Sequence, residues 1–140
     1  MDKIYRTLDA NLNRSREGLR VIEEIARLYL ADRRLAKRLK LLRSELAGTT
    51  RDIAAALIRA RNAKGDVGAG IHSRKEKERL DILDVFTANS KRVEESLRVL
   101  EEFSKLINKK MGLQFKALRF KFYTLEKDMY IALSEALKRE

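Results

Sequence analysis

The sequence contains no cysteine, no proline, no tryptophan and a single histidine, His72. Without cysteine there is neither a disulfide framework nor a thiolate metal site, which fits a reducing compartment. With one histidine as well, Ser–His and Cys–His nucleophilic centres and zinc hydrolysis have no basis. The Glu-x-x-His pairs that build di-iron bundles do not occur either. The longest purely apolar run, Ile53 to Ile58, falls far short of the roughly 20 residues that a membrane helix needs. The opening Met1-Asp2-Lys3-Ile4-Tyr5 lacks the apolar block of a signal peptide. A cytoplasmic protein without a membrane segment is the expectation.

Lack of proline removes the strongest helix breaker, and three of only six glycines (Gly65, Gly68 and Gly70) fall in one short stretch. What remains is dominated by Leu, Ala, Glu, Lys and Arg, the residues that lose least on entering a helix. At 140 residues the chain has the size of one domain with one core. Apolar spacing through Ile4, Leu8, Leu12, Leu19, Ile22 and Ala26 predicts a long amphipathic helix reaching about Leu30. Asp32 is placed to cap a second, carrying Leu35, Leu39, Leu42 and Leu46, which Gly48-Thr49-Thr50 either kinks or restarts toward Ile53 and Leu57. Asn62 to Ser73 reads as a loop, with His72 in it and exposed to solvent. Helix resumes near Arg74 or Asp81 and continues to about Lys110; after a turn at Gly112, a last helix runs from Leu113 to about Leu137.

The stretch Ala10 to Leu28 recurs as Ala88 to Leu106, with ten of nineteen positions identical at an offset of 78. The shared pattern Ala-Asn-x-x-Arg-x-x-Glu-x-Leu-Arg-Val-x-Glu-Glu indicates duplication rather than chance similarity between charged helices. A looser echo, Leu39-Lys40-Leu41-Leu42-Arg43 against Phe115-Lys116-Ala117-Leu118-Arg119, extends the unit to a helix pair and matches Arg43 with Arg119. Phe120 then reads as a core residue, and Tyr123 as aromatic surface beside Arg119. The expected architecture is an all-α helical bundle of about four main helices, a single domain over 1–140. Its two helix-pair repeats, about 4–61 and 81–139, are related by a pseudo-twofold axis and joined by the glycine-rich connector 62–73.

The identities are concentrated on one stripe. Positions 10, 14, 17, 21, 24 and 28 follow the 4,3,4,3 spacing of a single helix face, and all six match their counterparts. The apolar stripe Leu12, Leu19, Ile22 and Ala26, with Val93, Leu97 and Leu100 in the second copy, points roughly the other way and is the natural core face. Two readings of the conserved-in-both-copies Arg/Glu stripe stand open. It is either a seam of interhelical ion pairs, Arg14 with Glu95 or Arg92 with Glu17, or the wall of a ligand cleft.

Thirty-two basic residues against twenty-one acidic give a formal charge of +11, which favours phosphate-bearing partners. The charge is spread along the chain, aromatics are few and no DNA- or RNA-binding motif is present, so nucleic acid is not the expected partner. The Arg61–Gly70 loop lacks Gly-x-x-x-x-Gly-Lys-Ser/Thr and is not a P-loop; it is either a plain connector or, through Lys64 and its N–H groups, a phosphate contact. Phosphoryl transfer asks a protein mainly for positioning and neutralisation, which Arg, Lys and carboxylates supply without His or Cys.

Leu8-Asp9-Ala10-Asn11-Leu12-Asn13-Arg14, Arg16-Glu17-Gly18-Leu19-Arg20-Val21, Gly65-Asp66-Val67-Gly68, Asp84-Val85 and Ala88-Asn89-Ser90-Lys91-Arg92 resemble the helical domain found in some bacteria at the N-terminus of thiamine-phosphate synthase. Glu95-Ser96-Leu97-Arg98-Val99-Leu100-Glu101-Glu102 and Leu118-Arg119-Phe120 with Tyr123 extend the resemblance over nearly the whole chain. It implies an atypical hydroxymethylpyrimidine phosphate kinase, which stands in for the usual ribokinase-like enzyme. The implied reaction is ATP-dependent phosphorylation of 4-amino-5-hydroxymethyl-2-methylpyrimidine phosphate to the diphosphate, with Mg2+ as cofactor. The alternatives are a non-catalytic module that docks on thiamine-phosphate synthase and a basic nucleic-acid-binding bundle. The synthase portion is absent from these residues, so a stand-alone member or a separated domain is expected.

Together the stripe and the resemblance place Asn11, Arg14, Glu17, Asn89, Arg92 and Glu95 at one site. Arginines there hold phosphates, Asn11 and Asn89 read the aminopyrimidine edge, and Glu17 and Glu95 are the catalytic carboxylates. Arg20, Arg43, Asp66, Arg98 and Arg119 are further substrate-binding candidates, and Glu24 and Glu102 are candidate magnesium ligands. The sequence leaves the oligomeric state open, a homodimer included.

Overall fold

The computed structural model of the chain describes residues 1–140, apart from the side chains of Arg74 and Lys75. Helix α1 (Asp2–Glu24) is amphipathic, burying Leu8, Leu12, Leu19 and Ile22. It ends in one turn of π-helix over Ile25–Tyr29, where the N–H of Leu30 reaches back to the carbonyl of Ile25. Ala31 then takes φ 51°, the left-handed conformation that reverses the chain. Asp32 caps α2 (Arg33–Thr49) as expected, its Oδ1 accepting from the N–H of Leu35 at 3.0 Å. At Gly48–Thr50 the helix stops rather than kinks. A single 3-10 turn over Arg51–Ile53 leads into the short α3 (Ala54–Ala60).

Residues 61–73 form the exposed loop, His72 included, followed by the four-residue α4 (Arg74–Lys77). Helix α5 (Ile82–Ser104) is capped by Asp81, and α6 (Lys109–Arg139) by Asn108. These last boundaries correct the sequence reading, which carried α5 to about Lys110 and began the final helix at Leu113. Asn108 Oδ1 accepts from the N–H of Met111 at 2.7 Å, so the helix starts before Gly112. Gly112 sits at a tight contact: a Cβ there would lie 3.0 Å from Lys105 Cγ and 3.4 Å from the carbonyl oxygen of Glu101.

Among the described residues there is no strand, and the helices form a bundle. Helix α1 packs on α5, α2 and α3 pack on α1, and α6 packs on both α5 and α2. Met111, Phe115, Leu118, Phe122, Leu125, Met129 and Leu133 carry one face of α6 into the core. Phe120 falls on the opposite face and is 54% exposed, which corrects its assignment to the core. It meets Tyr123 edge-on, with the Arg119 guanidinium over both rings. Among the described residues no helix is long and apolar enough to cross a membrane.

The α1–α5 contact is made by small groups. Ser15 Oγ and Ser96 Oγ share a buried hydrogen bond of 2.6 Å, and a Cβ on Gly18 would lie 2.8 Å from Val93 Cγ2. At the 78-residue offset Ser15 matches Val93 and Gly18 matches Ser96, so each of these contacts maps onto the other at that offset. The caps Asp32 and Asn108 are likewise matched, at the 76-residue offset of the second helices.

One carboxyl between α5 and α6 is held protonated. Burial, then hydrogen bonding to and repulsion from Glu126, push Glu94 up to about 8, against an opposing pull from Lys91; Glu95 adds a small push upward. A raised carboxyl stabilises the fold fully below its ordinary value near 4.5, and that contribution is lost as pH rises through about 8. The thermal midpoint is therefore expected to fall between pH 5 and 8, and Glu94→Gln, which keeps a neutral amide there, to flatten the fall. Thermal melts across that range check this, and an equal slope in both proteins would refute it.

Candidate functional site

Arg14 and Arg92, the matched arginines of the two copies, line one cleft of about 590 Å3. Asn11 joins them from α1, and Asn89 and Glu95 from α5; Ile71, Glu76 and Arg79 close it from the segment around α4. This brings together five of the six residues expected at the site. Glu17 is exposed one turn beyond Arg14, outside the lining residues.

Neither ion pair of the alternative reading forms. Arg14, Glu17, Arg92 and Glu95 are all exposed, and none has a hydrogen-bond or ion-pair partner among the described residues. The reason lies in the helix contact itself. Ser15, Gly18, Val93 and Ser96 occupy the line of closest approach and leave the charged stripe on its solvent side. Glu76 and Glu95 share the cleft, but neither pairs with Arg14 or Arg92, so both guanidinium groups keep their donors open to an anion.

The two asparagines are set identically. Asn11 Nδ2 donates to the carbonyl of Thr7 at 2.9 Å, and Asn89 Nδ2 to that of Val85 at 2.8 Å. Each amide is thereby tied one turn back on its own helix, which leaves its Oδ1 as an acceptor and its second N–H as a donor. That pair suits an amino group beside a ring nitrogen.

A neighbouring cleft of about 560 Å3 shares Asn11 and Arg14 and runs under the glycine-rich loop, with Asp66 and Val67 on its far side. Asp66 Oδ1 accepts from the N–H of Gly68 at 2.8 Å, and Asn62 Oδ1 from that of Gly65 at 2.9 Å, so these side chains shape the loop's own turns. Sequence reasoning missed what anchors this loop. Arg61 makes a two-pronged pair with buried Asp9, at 2.8 and 2.9 Å, which holds its guanidinium above its ordinary range. Arg6 donates to the carbonyl of Asn62 at 2.9 Å. Asp9 adjoins the Ala-Asn segment, but Thr87 stands at the matched position, so comparing the copies passes over it.

The remaining candidates are engaged within the fold. Buried Glu23 receives Arg43 Nε at 3.0 Å, and buried Glu101 receives Arg119 Nε at 3.0 Å. Arg20 pairs with Glu24 at 3.2 Å, and Arg98 with Glu102 at 2.7 Å. The candidate magnesium ligands Glu24 and Glu102 thus already face arginines on their own helices. Lys105, then Arg98, hold Glu102 below its ordinary range. No group of three or more acidic, His or Cys side chains gathers among the described residues. Magnesium in phosphate-binding sites uses one or two carboxylates plus the ligand's phosphates. Glu95, unpaired beside the two free arginines, fits that donor set.

The ThiD2 family model matches residues 6–128, which span both Ala-Asn segments and the loop between them. The thiamine-phosphate synthase of Nostoc punctiforme is 46% identical over 127 residues, covering 90% of this chain and 35% of that protein. That of Synechocystis sp. is 47% identical over 123 residues, covering 88% and 35%. That of Rhodopirellula baltica is 36% identical over 132 residues, covering 94% and 35%. The chain therefore spans 35% of the length of these curated relatives, and no solved structure matches it. With the match running through both copies of the repeated helix and the cleft they share, the chain belongs to the ThiD2 family.

Proposed function

We propose that this chain serves thiamine biosynthesis alongside thiamine-phosphate synthase, and that it does so as a kinase. In this reading it transfers a phosphoryl group from ATP to 4-amino-5-hydroxymethyl-2-methylpyrimidine phosphate. The observation that carries the kinase reading is the pair of unpartnered arginines, Arg14 and Arg92, that the two copies present to one cleft. A terminal oxygen of the pyrimidine phosphate attacks the γ-phosphorus of ATP, the bond to the β,γ-bridging oxygen breaks, and ADP leaves with that electron pair. Little covalent chemistry is asked of the protein, so placing and neutralising two phosphorylated ligands is the main demand. Arg14 and Arg92 meet it by bidentate contact with phosphate oxygens. Asn11 and Asn89 offer matched acceptor–donor pairs to an aminopyrimidine edge. In this reading Glu95 would hold Mg2+, which would neutralise phosphate charge when bound.

A second reading is favoured by the 35% coverage of the relatives: the chain is a non-catalytic helical module that docks on the synthase portion. Incubating the purified chain with ATP, Mg2+ and the pyrimidine phosphate divides the two. The expected result is diphosphate formation, followed by 31P NMR or ion-exchange chromatography. No turnover by folded protein, with or without added thiamine-phosphate synthase, would sink the kinase reading. Co-elution of the two proteins in that case would carry the module reading.

A further inference from the structure

A third cleft, of about 650 Å3, lies between the end of α1 with its π-turn and the first half of α2. It shares no lining residue with the Arg14–Arg92 cleft. Arg33, Lys37 and Lys40 face it from α2 at spacings of four and three, so they stand on one side of that helix over about 10 Å of its length. None of the three has a hydrogen-bond or ion-pair partner among the described residues. Arg20, Arg27 and Arg43 complete the wall.

Two carboxylates also border the cleft, and both are already in use. Glu23 is buried and receives Arg43 at 3.0 Å, which holds that guanidinium at the cleft edge, while Arg20 pairs with Glu24 at 3.2 Å. Asp32 is the cap of α2. The cleft is thus a concave surface in which six cations face two carboxylates, and Arg33, Lys37 and Lys40 stand along one helix face without an ion-pair partner.

We propose that this cleft is a second anion site, which takes a di- or triphosphate group. A lone phosphate cannot bridge cations spread over about 10 Å of helix, whereas linked phosphates present several anionic oxygens along such a line. The volume lies in the range that holds a small organic ligand rather than a single ion. The site stands independently of the kinase reading, and a nucleotide or an inorganic polyphosphate supplies the same chemistry.

Inorganic triphosphate, titrated calorimetrically into the full chain at fixed ionic strength, tests the proposal. The Arg14→Ala/Arg92→Ala variant is the background, so that binding in the other cleft does not contribute. One site is expected to remain in that background, and Lys37→Ala with Lys40→Ala to weaken it at least tenfold while circular dichroism stays unchanged. Equal weakening by Lys127→Ala with Lys138→Ala, two exposed lysines of α6, would show a general charge effect and overturn the site. Loss of all triphosphate binding in the background would overturn it too, as would preference for a duplex oligonucleotide over triphosphate. ATP binding as tightly as triphosphate would identify the phosphates, not the nucleoside, as what the cleft holds.

Discussion

Replacing Arg14 and Arg92 together by alanine is expected to lower turnover by at least about a hundredfold, with no fall in the melting temperature. The size follows from what one preorganised charge or donor at a reacting centre contributes, on the order of 100- to 1000-fold in rate. The unchanged stability follows from the structure: both side chains are exposed and neither has a partner to lose. Glu76 and Glu95 line the same cleft without pairing to either arginine, so the midpoint should hold. Arg14→Lys and Arg92→Lys should recover little activity, because an ammonium supplies the charge without the planar pair of donors. Initial rates with varied pyrimidine phosphate and ATP, beside thermal melts of each variant, are the measurements. Full activity in the double alanine variant would remove both arginines from the site. A parallel loss of activity and fold would mean that they act as structural residues.

Much of this molecule is legible from residue spacing because helix faces obey a fixed period. Leu12, Leu19, Ile22, Val93, Leu97 and Leu100 are buried where their spacing puts them, and Asp32 caps α2. The loop from 61 is equally plain, since glycines cluster there and nowhere else. Spacing fails where a residue's role depends on another helix. Gly112 reads as a turn, yet it lies inside α6, which Asn108 caps, with the end of α5 packed tightly against it. Phe120 reads as core by residue type, yet the periodicity of Phe115, Leu118 and Phe122 already places it outside. The charged stripe is visible in the duplication, but its state is not. Whether Arg14 meets Glu95 depends on which residues occupy the line of contact, and those are Ser15, Gly18, Val93 and Ser96. Asp9 and Arg61 stand 52 positions apart, with no pattern to join them before the chain is folded.

Glu101→Ala is expected to destabilise the fold by about 3–5 kcal/mol, the cost typical of breaking a buried ion pair from one side. Glu101 is 4% exposed and receives both Arg119, at 3.0 Å, and Arg98, at 2.9 Å. The side chain of Arg119 is itself only 14% exposed. Without the carboxylate its guanidinium keeps one hydrogen bond, to the Tyr123 hydroxyl at 3.1 Å, beside the two aromatic rings, and stays largely out of water. Glu102, one position on, has as many ionic partners but stands in solvent, so Glu102→Ala should barely move the midpoint of urea unfolding. The comparison separates burial from charge, since the two residues share a helix turn and the same Arg98. Replacing both partners, Glu101→Leu with Arg119→Met, should restore most of the loss, because an apolar pair of similar volume needs no counter-charge. Equal costs for Glu101→Ala and Glu102→Ala would mean that the buried pair does not hold α5 to α6. The matched pair Glu23–Arg43 joins α1 to α2 in the same way, at 3.0 Å, and Glu23→Ala should carry a similar cost. If both glutamates behave so, each helix pair is fastened by one internal ion pair, which leaves Arg14 and Arg92 as the matched arginines free to meet a ligand.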